Sequence, residues 1–173
     1  MNYRFYAPIT GMFVSVLLIS NIASTKIVSL DFISFDGGTL LFPLSYIFSD
    51  ILTEVYGFAR SRAVIWTGFI SAILMSVVFL LVGILPASPE WQLQASYDAI
   101  LGFAPRIVLA SIIAYFIGEF ANSFTLSKLK VLTNGKYQRT RFIGSTIVGQ
   151  SFDTVLFSII AFAGVLSVDL IVS

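Results

Sequence analysis

The chain has 173 residues, 57% of them hydrophobic and only 11% charged, with a mean hydropathy of +0.94. Soluble domains carry roughly 25% charged residues, so composition excludes an ordinary soluble fold and implies an all-α, polytopic membrane bundle. Ten basic and nine acidic residues leave a net charge of +1, and the lack of Cys and His removes disulfides, thiol nucleophiles and the usual zinc or imidazole chemistry.

Five transmembrane helices are expected in one transmembrane domain, at about residues 6–28, 40–57, 63–86, 105–129 and 141–166. Arg4 precedes the first run, but no small-x-small cleavage site follows, so this run reads as an uncleaved span. Its second half carries Ser20, Asn21, Ser24 and Thr25, and a polar face on a membrane helix usually points into the bundle. The second span lies in FPLSYIFSDILTEVYGFARSR, which acquires Asp50 and Glu54 one turn apart, stops at Tyr56-Gly57 and ends with Arg60 and Arg62. The third span is nearly featureless and reads as scaffold.

Pro86 and Pro89 then break the chain, and a polar connection containing Trp91 and Tyr97 suits the membrane interface. On the fourth span Ala110, Ala114 and Gly118 form a small-residue stripe that allows close helix contact. Ser111, Tyr115, Glu119 and Asn122 form a polar face beside it at helical spacing. The fifth span carries Ser145, Thr146, Gly149, Gln150, Asp153 and Thr154. Gly118-Glu119-x-x-Asn122 is similar to Gly149-Gln150-x-x-Asp153, and the two spans cross in opposite directions, as inverted transporter repeats do.

The basic residues of the connections, Arg4, Arg60, Arg62, Lys128, Lys130, Lys136, Arg139 and Arg141, fall on one side. Asp31, Asp36, Glu90, Asp98 and Asp169 fall on the other, with Lys26 near its boundary. The positive-inside rule therefore puts the N-terminus in the cytoplasm.

At about 1.5 Å per residue, Asp50, Glu54, Glu119 and Asp153 come out near mid-membrane, with Asn21, Asn122, Gln150 and several hydroxyls available. Four ionised carboxylates would oppose insertion by about 10 kcal/mol, and no Lys or Arg shares their depth. They are protonated, or line a wet cavity, or await a ligand, which leaves proton coupling open. Any one of them is as readily a structural hydrogen-bond partner between helices; four together are not. Carboxylates and amides suit a small polar or cationic solute with several N–H donors. No nucleotide-binding GxxxxGK[ST] is present, so any use of ATP requires a partner chain. No catalytic residue, cofactor, metal site or nucleic-acid partner is expected, and an enzyme is disfavoured.

The second, fourth and fifth spans (FPLSYIFSDILTEVYGFARSR, PRIVLASIIAYFIGEFANSF and RTRFIGSTIVGQSFDTVLFSIIAF) resemble the queuosine precursor transporters, integral membrane proteins once called vitamin-uptake-like. The resemblance covers most of the chain. It implies a secondary transporter that takes a queuosine precursor, 7-cyano-7-deazaguanine or a related base, across the bacterial inner membrane. The alternative is a substrate-binding subunit energised by a partner ATPase. The family motifs match Asp50 and Glu54; Arg106, Ser111, Glu119 and Asn122; and Arg141, Ser145, Gln150 and Asp153. The expected substrate contacts are Asp50, Glu54, Glu119, Asn122, Gln150, Asp153 and Asn21, supported by Arg106, Ser111, Tyr115 and Ser145. The family typically has six spans and five are legible here, so a sixth span, or assembly with another copy, is an expectation.

Overall fold

In the computed structural model, residues 4–30, 33–134 and 136–164 are described. The side chains of Asp50 and Glu54 lie outside the described residues, as do Asp31 and Asp169 and the end of the fifth expected span. The chain forms a multi-pass, all-α membrane protein. Its elements in order are α1 (Tyr6–Ala23), a hairpin of β1 (Ile27–Leu30) and β2 (Ile33–Asp36), a 3₁₀ turn (Gly37–Leu41), α2 (Phe42–Tyr56), α3 (Phe58–Gly83), α4 (Gln94–Leu101), α5 (Ala104–Leu132) and α6 (Gln138–Phe162). Among the described residues, four stretches have the length and apolarity to cross a bilayer, and they lie in α1, α3, α4–α5 and α6. The 15-residue α2 is about 22 Å long, short of a full span, but the 3₁₀ turn precedes it without a break.

Contacts divide the chain into two compact units, with the boundary between Val108 and Leu109 inside α5. In the first unit α1, α2 and α3 pack on one another. Phe13, Leu52, Tyr56 and Val64 form their buried core. Tyr6 meets Tyr56 edge-on at 5.0 Å, and its hydroxyl donates to the Arg60 carbonyl at 3.5 Å. The start of α1, the end of α2 and the start of α3 thus share one end of the unit, as the loop charges require.

The first helix is shorter than the sequence suggests, ending at Ala23 rather than near Val28. Ser24 and Thr25 turn their hydroxyls onto the carbonyls of Ser20 and Ile22, at 3.0 and 2.7 Å. Such side chains compete with the helix, and the β-branched residues that follow pair as a strand instead, Ile27 opposite Asp36. Asp36 then clasps the structure together. One carboxylate oxygen accepts from Ser24 Oγ and from the N–H groups of Gly38 and Thr39, at 2.9 and 3.2 Å for the latter two. The other accepts from Thr39 Oγ1 at 2.8 Å. Ser20 Oγ donates to the Gly38 carbonyl at 3.1 Å. A Cβ on Gly38 would sit 2.6 Å from the Ser20 carbonyl oxygen, so only glycine fits.

Helices α2 and α3 are joined by one residue, Gly57, at φ 86° and ψ 158°, a conformation that other residues reach only with strain. Arg60 reaches back to donate to the Tyr56 carbonyl at 3.3 Å, filling an orphan acceptor at the end of α2. The polar connection after α3 contains α4. Its Tyr97 hydroxyl donates to the Phe79 carbonyl at 3.1 Å and its Gln94 amide to the Gly83 carbonyl at 3.2 Å, so α4 closes off the last turn of α3.

The clasp can be tested by unfolding the purified protein in detergent. Gly38→Ala forces an overpacked contact and costs about 1–3 kcal/mol, while Asp36→Ala removes a cap and costs about 1 kcal/mol or more. Both lower the unfolding midpoint, and an unchanged midpoint for both would refute the clasp.

Candidate functional site: the α5–α6 face

The second unit is built on a backbone-to-backbone contact between α5 and α6. A Cβ on Gly118 would fall 2.9 Å from the Cβ of Asp153 and 2.9 Å from the Gly149 carbonyl oxygen. A Cβ on Gly149 would fall 2.7 Å from the Cβ of Asn122 and 2.9 Å from the Gly118 carbonyl oxygen. A Cβ on Gly144 would lie 3.4 Å from Leu129 Cδ1, so the helices run antiparallel. Neither glycine tolerates a side chain, and each helix meets the other through the same two positions of its own motif. The crossing is therefore close to two-fold symmetric, relating Gly118 to Gly149, Glu119 to Gln150, Asn122 to Asp153 and Tyr115 to Thr146.

An axis relating antiparallel helices is perpendicular to the plane of the pair, so equivalent residues emerge on the same side of that plane. At about 100° per residue, Asn122, Tyr115 and Glu119 lie about 40°, 60° and 100° round from Gly118 in one sense. Asp153, Thr146 and Gln150 lie at the same angles from Gly149. All six side chains share one face of the hairpin. The register also sorts them by height. Glu119 and Asp153 lie at one level, and Asn122 and Gln150 at a second level about 4.5 Å further toward the Lys128 end.

The face is not self-satisfied. Asn122 Oδ1 is buried with no hydrogen-bond partner among the described residues, a state that costs about 1–3 kcal/mol. Glu119 and Asp153 form no hydrogen bond or ion pair among the described residues. Glu119 is exposed and Asp153 half-buried. Gln150 and Tyr115 are partnered.

Other expected site residues do not join this group. Ser145 is buried on the opposite side of Gly149 and donates to the Phe142 carbonyl at 3.0 Å. Ser111 lies about 10 Å along α5 from Gly118. Arg106 belongs to the first unit, in the first turn of α5, 5.8 Å from the Phe103 ring centroid. Asn21, also in the first unit, is buried and donates to the Leu17 carbonyl at 2.8 Å. Because Tyr6 meets Tyr56 and Ser20 meets Gly38, Asn21 sits about 13 Å along α1 from the level of Asp50. Asp50 and Glu54 are placed on the α2 backbone only.

Thr146, read from the sequence among the polar residues of the fifth span, joins the polar face as the counterpart of Tyr115. One feature escaped the sequence reading. Ser76 Oγ is buried in α3 with no partner among the described residues. Thr67 and Ser71 of that helix donate to the carbonyls of Ala63 and Thr67, and nothing in the sequence separates Ser76 from them.

Residues 36–173 match the family model described as "Putative vitamin uptake transporter". The chain is 30% identical over 166 residues to a Bacillus subtilis protein named "Probable queuosine precursor transporter", covering 92% of this chain and 71% of that one. It is 27% identical over 125 residues to the Escherichia coli "Queuosine precursor transporter", covering 72% of this chain and 54% of that one. A Haemophilus influenzae relative matches at 27% identity over 51% of its length, so the chain spans about half of these last two relatives. No solved structure matches the chain.

The crossing can be checked by cross-linking, since the chain has no native cysteine. Gly118→Cys combined with Asp153→Cys should form a disulfide under mild oxidation, the helices parting by about 1 Å to reach normal bridge geometry. Ile117→Cys combined with Asp153→Cys should not. Equal yields from the two pairs would refute the register.

Proposed function

The chain belongs to the vitamin uptake transporter family, alongside the queuosine precursor transporters, and from that premise we propose that it transports a queuosine precursor, a 7-deazaguanine base such as 7-cyano-7-deazaguanine. The observation that carries the reading is the α5–α6 face. It holds two carboxylates and a buried amide oxygen without partners among the described residues, on helices long and apolar enough to span a membrane. A solute bearing several N–H donors and a carbonyl suits those groups, because carboxylates accept only and amides both donate and accept. Polar groups left open inside a membrane helix mark solute pathways more often than scaffolding.

We read the process as secondary transport inward through the bacterial inner membrane. The N-terminus is cytoplasmic, as the basic residues at the Arg4, Arg60 and Lys128 ends indicate. Glu119 and Asp153 are the titratable groups available for coupling to protons. Asp50 and Glu54, from the same family motif set, are further expected substrate contacts, carried by α2 of the first unit.

Uptake of radiolabelled 7-cyano-7-deazaguanine, in proteoliposomes carrying an imposed pH gradient and no ATP, tests the reading. Wild-type protein should accumulate the base, and Asp153→Asn and Glu119→Gln should each reduce the rate at least about tenfold, the loss of one charged hydrogen bond. Binding without accumulation would instead favour a subunit energised by a partner ATPase. Uptake and binding unchanged in both variants would remove this face from the transport path.

A further inference from the structure

The two-fold relation between α5 and α6 pairs each acid with its own amide analogue, Glu119 with Gln150 and Asp153 with Asn122. The symmetry therefore carries shape but not charge. The register places both carboxylates at one level and both amides at the next, so the face has an acid step and an amide step rather than a mixed cluster.

These steps differ in what they recognise. A carboxylate accepts hydrogen bonds and offers none, so the Glu119/Asp153 level takes N–H groups. An amide offers a donor and an acceptor side by side, which matches a cyclic lactam, where C=O and N–H are adjacent and both must be met. Asn122 fits that role. Its Cβ packs on Gly149, its Oδ1 is buried with no partner among the described residues, and a ligand N–H would satisfy that oxygen. The two levels stand about 4.5 Å apart, similar to the spacing between the lactam oxygen and the exocyclic amine on one edge of a guanine-type base.

We infer that Asn122 and Gln150 are specificity-determining residues that read the lactam edge of the transported base, while Glu119 and Asp153 take its exocyclic amine one turn away. The inference rests on the transport reading above and adds which groups select the base and which way round it lies. The lactam points toward the Lys128 end of α5 and the amine away from it. With Oδ1 as its buried acceptor, Asn122 presents Oδ1 to the lactam N–H and Nδ2–H to the lactam oxygen. A 6-amino analogue sets its unprotonated ring nitrogen against Oδ1 and its amine against Nδ2, so the amide must turn over to pair it. Sites that hydrogen-bond a substrate group discriminate strongly against analogues lacking it.

Equilibrium binding of two radiolabelled bases to the purified full chain in nanodiscs tests this. The bases are 7-cyano-7-deazaguanine and its 2,6-diamino counterpart, and unfolding midpoints without ligand monitor folding. Wild-type protein should prefer the lactam base. Asn122→Asp, which exchanges a donor for an acceptor, should weaken the lactam base about 10-fold to 100-fold and bind the diamino base as well or better. Gln150→Glu should move the ratio in the same direction, and Ser71→Ala, in α3 and outside the face, should leave it unchanged. If wild type prefers the lactam base but both amide variants weaken the two bases equally, the amides do not select and the inference falls. If wild-type protein binds neither base, the transport reading itself falls, and the specificity assignment with it.

Discussion

Two glycines that leave no room for a Cβ hold α5 against α6, and the chemistry of the second unit depends on that contact. In a bilayer, burying apolar surface between helices gains little, because lipid is already apolar, so association relies on close packing and polar contacts. Gly118 and Gly149 supply the packing. The polar side chains on either side are then spaced by backbone geometry rather than by flexible contacts. A larger residue at either glycine would part the helices and disperse all six groups of the face together.

The polar groups around the α1–α2 connection and those of the α5–α6 face are treated differently. In the first unit Ser20, Ser24 and Asp36 are spent on holding α1 to the 3₁₀ turn before α2, and Arg60 is spent on the end of α2. Each satisfies a backbone or side-chain partner nearby, as hydrogen-bonded groups in a low-dielectric setting must. In the second unit Glu119, Asn122 and Asp153 lack such partners among the described residues. Insertion into a membrane would select against that state unless something else, solvent or solute, completes it.

Much of this was legible in residue order. Helical spacing separated the Ala110/Ala114/Gly118 stripe from the Tyr115/Glu119/Asn122 face, and the short motif shared by the fourth and fifth spans indicated an inverted pair. Counting residues into each span brought Glu119 and Asp153 to a common depth, and the α5–α6 register puts them at one level. Other features depend on contacts that order alone does not reveal. The end of α1 is set by Ser24 and by Asp36 twelve positions later, while the apolar residues between them resemble more of the span. Helix α4 forms because α3 needs its last carbonyls covered, which a polar, Pro-flanked connection does not announce. Ser145 shares a motif with Gln150 and Asp153, yet it falls on the buried side of Gly149, because 100° per residue carries it past the crossing.

Shape symmetry without charge symmetry bears on direction. A site read identically from both membrane faces would bind a planar base in two opposite orientations with equal energy, and nothing local would distinguish entry from exit. Exchanging one acid for an amide at each equivalent pair removes that degeneracy while leaving the Gly118–Gly149 crossing intact. The acid step lies toward the start of α5 and the amide step toward its basic end. On the proposed reading, a base with an amine at one corner and a lactam at the other would have one preferred orientation along the α5–α6 pair. The fold keeps the economy of a repeated helix pair, and two exchanges of a hydroxyl-sized group give it polarity.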